Sequence, residues 1–361
     1  MIDLFPFAKP FIHSLDPEKA HTLTINMLRR GVTGVPFPPK RYATLKTEVF
    51  GLSFDNPVGL AAGFDKDAEA LAGAQRMGFG FVEAGTVTPK AQPGNEKPRL
   101  FRLSGDRAVI NRFGFNNKGV DAFADRLTHF KPPYGRARSI VGANVGANKD
   151  AKDRTADYVT CIERLYGLSD YFTVNISSPN TPGLRALQSR ASLENLTDRV
   201  LEVRRKKVKE GMARVPILVK IAPDLTEEDV ADIASVALES DIDGLIVSNT
   251  TIERPETLKS RDKAEMGGLS GKPLFAPSTE MLAKVYRATG GKVPLVGVGG
   301  ISSGADAYAK VRAGASLVQL YSMLVYEGPG LVERVKKDLN KLLLRDGFSS
   351  VADAVGADHT G

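Results

Sequence analysis

Residues 216–249 have the sequence PILVKIAPDLTEEDVADIASVALESDIDGLIVSN, which contains one complete unit of the fold. The short apolar runs at 216–221 and 244–249 are typical of strands buried on both faces of a parallel sheet. Between them, Thr226 and the three acidic residues after it indicate the start of a helix that continues to Leu238. The segment therefore predicts a strand, a crossover helix and a second parallel strand.

Similar apolar runs recur along the rest of the chain. Together with those two, the predicted strands are residues 57–62, 80–86, 140–146, 171–176, 216–221, 244–249, 294–299 and 316–321. Helical patterns follow most of them, and this alternation indicates a parallel sheet. Eight units favour a closed α/β structure, a (β/α)8 TIM barrel, formed by residues 51–345 as one domain.

An open, doubly wound sheet is the alternative architecture, but the sequence lacks its dinucleotide-binding fingerprint. The nearest candidate, Gly297-Val-Gly-Gly-Ile-Ser302, has Ser302 where the third glycine should be and lies near the end of the chain. An isolated match would be weak evidence in any case.

The composition excludes several classes of protein. The 361 residues include one cysteine, Cys161, so neither a disulfide framework nor a cysteine-rich metal site can form, and no metal is expected. No apolar run is long enough to span a bilayer, and Asp3, Pro6 and Pro10 interrupt any signal-peptide pattern. Because the chain has one cysteine, a reducing, cytoplasm-facing compartment is the simplest interpretation.

Residues 1–50 form a separate N-terminal segment. Two helical patterns, at 4–15 and 17–30, suggest a small helical hairpin, with Asp16-Pro17 starting the second helix. Residues 1–47 carry seven basic side chains against three acidic ones, from a total net charge of +7. The hairpin is either a lid packed across the bottom of the barrel or an apolar, basic surface for lipid. At the other end, the small and polar residues 346–361 predict a disordered tail.

Polar side chains crowd the carboxyl ends of the predicted strands, where the active site of such a barrel lies. Lys66 and Lys220 follow strands one and five, and two lysines are rarely buried there without anionic partners. A Schiff-base role is conceivable for either lysine, but nothing singles it out. Glycines near strands seven and eight predict a phosphate site at Gly299, Gly300, Tyr321 and Ser322, beside a flexible loop with Gly267, Gly268 and Gly271.

The segment Asn175-Ile-Ser-Ser-Pro-Asn-Thr-Pro-Gly-Leu-Arg185 is the most specific one. Its prolines and glycine restrict a loop, while its amides and hydroxyls offer paired donors and acceptors. Ser178 has no partners for a hydrolase triad, because none of the four histidines, His13, His21, His129 and His359, lies at a strand end.

A series of motifs resembles the class 2, quinone-reducing dihydroorotate dehydrogenases. The motifs are Ala61-Ala-Gly-Phe-Asp-Lys66, Asn111-Arg-Phe-Gly-Phe-Asn116, Asn175-Ile-Ser-Ser-Pro-Asn180, Ser248-Asn-Thr-Thr251, Gly267-Gly-Leu-Ser-Gly271 and Gly297-Val-Gly-Gly-Ile301. They occur in order across the barrel, and Asp16-Pro-Glu-Lys-Ala-His21 extends the likeness into the N-terminal hairpin. The family uses such a hairpin as a membrane and quinone-tunnel segment.

The resemblance implies a flavoenzyme of pyrimidine (UMP) biosynthesis that oxidises dihydroorotate to orotate with FMN and passes electrons to a membrane quinone. Ser178 would remove the C5 proton while the C6 hydride passes to flavin N5. The implied FMN positions are Ala62, Gly63, Phe64, Asp65, Lys66, Thr86, Asn144, Asn175, Lys220, Ser248, Gly271, Gly300, Tyr321 and Ser322. The implied substrate positions are Lys66, Asn111, Arg112, Phe113, Gly114, Phe115, Asn175, Asn180, Asn249 and Thr250, and the implied quinone-tunnel positions are His21, Arg102 and Tyr321.

The resemblance also implies a location and partners. The protein would lie at an anionic membrane surface, on the cytoplasmic face of a bacterial inner membrane, without an obligatory protein partner or nucleic acid. Class 1 relatives use a cysteine base and lack the hairpin, whereas here Ser178 has that position and Cys161 lies on a helix. A flavin barrel that reduces transfer-RNA uridines would need a catalytic cysteine and an RNA-binding domain, and a non-catalytic binding module would need no proton acceptor.

Overall fold

The computed structural model describes residues 5–35 and 38–359. Within them, eight parallel strands close a barrel. These strands are β3 Val58–Leu60, β4 Phe81–Val87, β7 Ile140–Val145, β8 Tyr171–Asn175, β9 Ile217–Ile221, β10 Gly244–Val247, β12 Leu295–Val298 and β13 Ala315–Leu320. Around the barrel their order is β10-β12-β13-β3-β4-β7-β8-β9. Each overlaps one of the eight predicted runs, so the predicted TIM barrel is confirmed.

Helices surround the barrel and connect its strands. They are α3 Leu71–Arg76, α4 Val120–His129, α5 Arg154–Leu165, α6 Arg190–Lys209, α7 Glu227–Glu239, α8 Phe275–Ala288, α9 Gly304–Arg312, α10 Leu324–Glu327 and α11 Leu331–Arg345. The predicted start of α7 is a capping box, in which Thr226 and Asp229 each accept the other's backbone N–H. None of the described helices is long and apolar enough to cross a membrane.

A two-stranded antiparallel hairpin, β1 Thr47–Val49 and β2 Leu52–Phe54, covers the amino ends of the barrel strands. Phe54 of this hairpin is 1% exposed and meets Phe81 edge-to-face, with 5.4 Å between ring centroids. Inward-facing Phe81, Tyr171 and Leu218 belong to the same apolar cluster as Phe54. This layer closes the bottom of the barrel, so polar chemistry is confined to the middle and the mouth.

The N-terminal helices, α1 Phe5–Ser14 and α2 Pro17–Arg29, lie at the opposite end. Asp16 caps α2 by accepting the Lys19 N–H, as its sequence predicts. His21 of α2 meets the ring of Phe64 just beyond β3, with 5.4 Å between centroids. The alternative of a lid at the barrel's bottom is therefore wrong, because the hairpin packs over the mouth. Residues 1–4 of the predicted segment lie outside the described part.

A second sheet stands above the mouth. It consists of β5 Leu100–Leu103, β6 Ala108–Asn111 and β11 Gly268–Gly271, paired antiparallel in the order β11-β6-β5. The prediction of a flexible glycine loop at Gly267, Gly268 and Gly271 is wrong for this reason. Glycine at position 268 allows β11 to lie close to Thr250, because a Cβ there would lie 1.8 Å from the Thr250 hydroxyl oxygen.

The C-terminal residues also differ from the prediction. Residues up to His359 pack on the barrel, with short 3-10 helices at Ala352–Ala354 and Ala357–His359. Val351 and Ala354 are fully buried, and the His359 ring stacks on Tyr286 with centroids 5.0 Å apart. The prediction of a disordered tail at 346–361 is therefore wrong as far as His359, because a few small apolar side chains and one ring bury enough surface to fix a polar segment. Residues 360–361 lie outside the described part.

Candidate active site

A continuous cavity of about 460 Å³ extends from the barrel mouth to the space between α1 and α2. Its inner end is polar and is lined by side chains from the carboxyl ends of the strands and the loops after them, including Lys66, Lys220 and Ser178. Its outer end is apolar and is lined mainly by residues of the helical hairpin and of α10, such as Ile12 and Leu28. One cavity therefore joins two chemically different compartments.

Two lysines contribute positive charge to the polar end. Lys66 is half-buried, with its Nζ 4.1 Å from the centre of the Phe113 ring, and burial lowers its pKa to about 8. Lys220 is 5% exposed, and burial lowers its pKa as well. Among the described residues, no carboxylate lies within ion-pair distance of either ammonium group. Two such cations lining one cavity indicate an anionic ligand.

Asparagines are the second feature of the polar end. Asn175, at the end of β8, donates to the Thr86 hydroxyl at 3.0 Å and accepts from the Asn249 amide at 3.3 Å. Asn180 donates to the Asn111 amide oxygen at 3.3 Å. With Asn116, five asparagine side chains from three parts of the chain thus line the cavity. Each amide carries both donors and acceptors, so the set suits a ring bearing carbonyl and N–H groups.

Ser178 lies between these groups and is 6% exposed. Its hydroxyl oxygen accepts the backbone N–H of Asn180 at 3.2 Å, which fixes the side chain within the loop after β8. The Thr181 hydroxyl nearby in sequence is buried and makes no hydrogen bond to the described residues. Cys161 is fully buried in α5, where burial raises the pKa of its thiol. The cavity therefore contains a serine and not that cysteine.

The predicted phosphate side contains close backbone approaches. Gly300 has a φ of +70°, and a Cβ there would lie 2.6 Å from Phe275 at the start of α8. Gly271 has a φ of +91°, and a Cβ there would lie 2.5 Å from the Arg107 carbonyl oxygen. The Ser322 hydroxyl lies 2.8 Å from that of Ser270. Only glycine fits positions 271 and 300 without strain.

Aromatic and basic side chains lie where the two compartments meet. Rings of His21, Phe64 and Tyr321 cluster there, and the Tyr321 hydroxyl lies 3.5 Å from His21 Nδ1. Burial, with the nearby Lys66 charge, lowers the pKa of His21 to about 3, so its ring is neutral at physiological pH. Arg102 donates to the His13 carbonyl oxygen at 2.9 Å and so holds the end of α1 against β5.

Most of the sequence-predicted positions line this cavity. Those that do are His21, Ala62, Gly63, Phe64, Lys66, Thr86, Arg102, Asn111, Phe113, Gly114, Phe115, Asn175, Ser178, Asn180, Lys220, Asn249, Thr250, Tyr321 and Ser322. Six do not line it: Asp65, Arg112, Asn144, Ser248, Gly271 and Gly300.

The side chains of Asp65 and Arg112, two of these six, are engaged by neighbouring groups outside the cavity. The Asp65 carboxylate accepts the N–H groups of Glu69 and Ala70 at 2.8 and 2.7 Å. Arg112 pairs with Glu265 at 2.6 Å. Any contact from Asp65 to a ligand would therefore come from its main chain.

The sequence analysis missed the hairpin residues that form the apolar end. Ala20, Thr24, Met27 and Leu28 of α2 line the cavity together with Ile12 of α1. The spacing of Ala20, Thr24 and Leu28 by four residues was the available signal, since it places them on one helix face. Pairing this face with the barrel mouth needed the three-dimensional structure.

The chain is similar to known dihydroorotate dehydrogenases in sequence and in structure. The family model described as dihydroorotate dehydrogenase matches residues 44–343. A protein of Parvibaculum lavamentivorans named dihydroorotate dehydrogenase (quinone) is 56% identical over 99% of both chains, and one of Xanthobacter autotrophicus with the same name is 54% identical over 99% of both. The crystal structure of the Eimeria tenella dihydroorotate dehydrogenase with ferulenol superposes with a TM-score of 0.91 at 43% identity over 96% of each chain. The chain therefore belongs to the dihydroorotate dehydrogenase family, in its quinone-dependent class.

Proposed function

We propose that this chain oxidises dihydroorotate to orotate in pyrimidine biosynthesis, with FMN as its flavin and a membrane quinone as the final electron acceptor. Dihydroorotate dehydrogenases are flavin enzymes, and the named relatives are quinone-dependent. The observation that carries the proposal is the single cavity with a polar end at the barrel mouth and an apolar end between two helices. One end suits a small polar anion and the other an isoprenoid-type quinone.

FMN fits the residues at the mouth. Lys220 offers a buried cation without an anionic partner among the described side chains, and Gly63, which lines the cavity with a φ of +95°, lets backbone approach a ligand closely. Thr86, Asn175, Tyr321 and Ser322 add donors and acceptors along the cavity wall. FMN, when bound, would accept a hydride from the substrate and deliver electrons to the quinone.

The substrate would be held by charge and by amides. Lys66 would neutralise the dihydroorotate carboxylate, because its side chain lines the cavity and has no carboxylate partner in the described part of the chain. Asn111, Asn175, Asn180 and Asn249 would bind the carbonyl and N–H groups of the ring, and Thr250 would complete the set. A site of buried, orientated amides rejects ligands that leave those amides unpaired.

Ser178 would take the C5 proton. A serine hydroxyl is a weak base, so its position must compensate. The Asn180 N–H holds its oxygen, and the low exposure of the side chain keeps out bulk water. The Thr181 hydroxyl, which makes no hydrogen bond within residues 5–35 and 38–359, would receive the proton that Ser178 passes on.

The quinone would enter between α1 and α2. Phe64, His21 and Tyr321 separate the two compartments, and Arg102 anchors the hairpin beside them. Because the pKa of His21 is strongly lowered, its ring adds no charge beside the guanidinium group of Arg102. An uncharged ring at this point lets a hydrophobic molecule pass without removing a further charge from water.

The hairpin would place the passage at an anionic membrane surface, which we propose is the cytoplasmic face of a bacterial inner membrane. Phe7 and Phe11 of α1 are 80% and 64% exposed. Lys9 lies between them, and Arg29 and Arg30 end α2. Exposed aromatic rings beside basic side chains are typical of helices that lie in the lipid interface.

One spectroscopic experiment tests the whole proposal. The purified protein should show the absorption of an oxidised flavin, lose it when dihydroorotate is added without oxygen, and recover it when a quinone is added. Mass spectrometry of the released cofactor should identify FMN. A colourless protein that binds no FMN, or a flavin that dihydroorotate does not bleach, would refute the proposal.

A further inference from the structure

Glu83 is a buried carboxylate that has no assigned task in the proposed reaction. It lies on β4, is 0% exposed and does not reach the cavity. Its Oε1 accepts from the Asn144 amide at 2.7 Å, and its Oε2 accepts from the Tyr171 hydroxyl at 3.0 Å and the Gln319 amide at 2.8 Å. No cation among the described residues lies within ion-pair distance of it. A charge buried with neutral donors alone is costly, so its presence on β4 calls for a physical reason.

A chain of hydrogen bonds connects this carboxylate with the cavity. Asn175, which lines the cavity, donates to Thr86 at 3.0 Å, and Thr86 donates to the Asn144 oxygen at 2.5 Å. Asn144 in turn donates to Glu83. A carboxylate can only accept, so the Asn144 amide must present its nitrogen to Glu83 and its oxygen to Thr86. Every donor in the chain therefore points toward Glu83.

Lys220 belongs to the same layer of the barrel interior. It pairs in register with Asn175 on the neighbouring strand, and Asn175 also lies 3.2 Å from Asn144. Burial lowers the pKa of Lys220, and the attraction of Glu83 opposes that effect. The negative charge of Glu83 thus partly offsets the desolvation of the buried Lys220 ammonium group.

We infer that Glu83 is a positioning residue that supplies the buried countercharge for Lys220 through the polar layer of the barrel. This inference rests on the proposed function, because it assumes that Lys220 acts on bound FMN. Glu83 keeps Lys220 cationic, and the Asn144–Thr86–Asn175 chain holds that layer in one arrangement. The residue touches neither substrate nor cofactor and acts only through its neighbours.

Glu83→Gln is the informative variant because it removes the charge and keeps the shape. The Gln319 Oε1 atom is buried without a partner among the described residues, so it is available to accept the new amide N–H, and we expect the variant to fold. Tyr171→Phe is the matched control, since it removes one hydrogen bond from the same carboxylate without changing its charge. Circular dichroism melting would confirm that both variants are folded.

The measurement is FMN release from the full-length, FMN-loaded protein on dilution, followed by FMN fluorescence between about pH 7 and pH 9.5. Lys220 loses its proton as pH rises, and more readily without Glu83. In Glu83→Gln, release should therefore begin about one pH unit or more lower than in the parent, which is the usual size of one nearby charge's effect. Tyr171→Phe should keep the parent's pH dependence.

A second background separates the effect of Lys220 from that of Lys66, whose pKa is lowered to about 8 and lies within the measured range. In Lys220→Met protein, adding Glu83→Gln should produce no further shift. A shift that persists there, or equal weakening by Glu83→Gln and Tyr171→Phe at every pH, would overturn the inference. If the parent protein holds FMN and the pH at which release begins is the same in Glu83→Gln, the inference is wrong and the proposed function is unaffected. If the parent protein holds no FMN, the proposed cofactor and the inference are both wrong.

Discussion

The polar and apolar ends of the cavity are held in place by different forces. At the polar end, Asn175 alone takes part in hydrogen bonds with Thr86, Asn144, Ser177 and Asn249. At the apolar end, α1 has no fully buried residue and meets the barrel through a few contacts such as the Arg102 bond to His13. A network of buried hydrogen bonds fixes one geometry, whereas weakly buried helices can adjust to a ligand.

This difference suggests that the two halves of the proposed reaction can be disrupted separately. Changes at the polar end should affect reduction of the flavin by dihydroorotate and leave its reoxidation by a small soluble quinone intact. Changes on the hairpin should affect membrane binding and long-tailed quinones and leave the dihydroorotate step intact.

The largest effect is expected from Ser178→Ala at the polar end. Positioned proton transfer contributes about 10²–10⁴-fold in rate, so flavin reduction by dihydroorotate should slow by about that factor. FMN content and reoxidation by quinone should stay normal. Ser178→Cys should keep part of the activity, because a thiol is more acidic than a hydroxyl. Anaerobic stopped-flow absorbance measures both steps, and a Ser178→Ala variant that reduces its flavin at the parent rate would show that the base lies elsewhere.

The corresponding change at the apolar end is the double variant Phe7→Ser, Phe11→Ser. Both rings are mostly exposed, so their loss should not disturb the fold. Each ring that enters lipid contributes roughly 1.5 kcal/mol or more, so vesicle affinity should fall about 100-fold. Sedimentation with vesicles containing anionic lipid measures this affinity, and flavin reduction should not change.

Leu238 and Leu344 provide the matched control for that experiment. They are 45% and 58% exposed and end helices that run toward the bottom of the barrel, opposite the hairpin. Leu238→Ser, Leu344→Ser should leave vesicle binding intact. Equal losses in both double variants would show that exposed apolar surface in general, and not the hairpin, binds the membrane.

A smaller, graded effect is expected from pH at Lys66. Its pKa of about 8 means that the ammonium group loses its proton as pH rises above that value. Orotate binding should therefore be constant below about pH 7.5 and weaken by up to about tenfold per unit above pH 8. Lys66→Arg, which keeps its charge, should flatten the curve even if it binds more weakly overall. A parent curve that stays flat to about pH 9.5 would contradict this assignment.

The barrel strands and several of the site residues were predictable from the sequence. Barrel strands such as Ile217–Ile221 were predictable because a strand buried on both faces is a continuous apolar run. Lys66, Asn175 and Ser178 were predictable as site residues because a barrel brings the ends of its strands together. Glu83 lies within β4, and the sequence does not show that its side chain turns inward to Asn144 and Tyr171.

Other features depended on contacts distant in sequence. The hairpin β1–β2 was not predictable from the sequence, because its position depends on the packing of Phe54 against Phe81 at the bottom of the barrel. Gly268–Gly271 looked like a flexible loop because its partner strand, Ala108–Asn111, lies far away along the chain. Strand pairing of this kind follows from the folded arrangement and has no local signal.

The smallest effect is expected from the C-terminal tail, which belongs to neither end of the cavity. His359 stacks on Tyr286, and its Nε2 lies 3.2 Å from the Ala313 carbonyl oxygen. His359→Ala should lose that stacking and one hydrogen bond, together roughly 1–2 kcal/mol of unfolding free energy. For a protein of this size the melting temperature should fall by only about 1–3 °C, with both half-reactions unchanged. His129→Ala is the control, because its side chain is 76% exposed on α4. Equal melting temperatures for the two variants would show that the tail's packing contributes nothing to stability, whereas a selective loss of quinone turnover in His359→Ala would show that the tail is coupled to the apolar end after all.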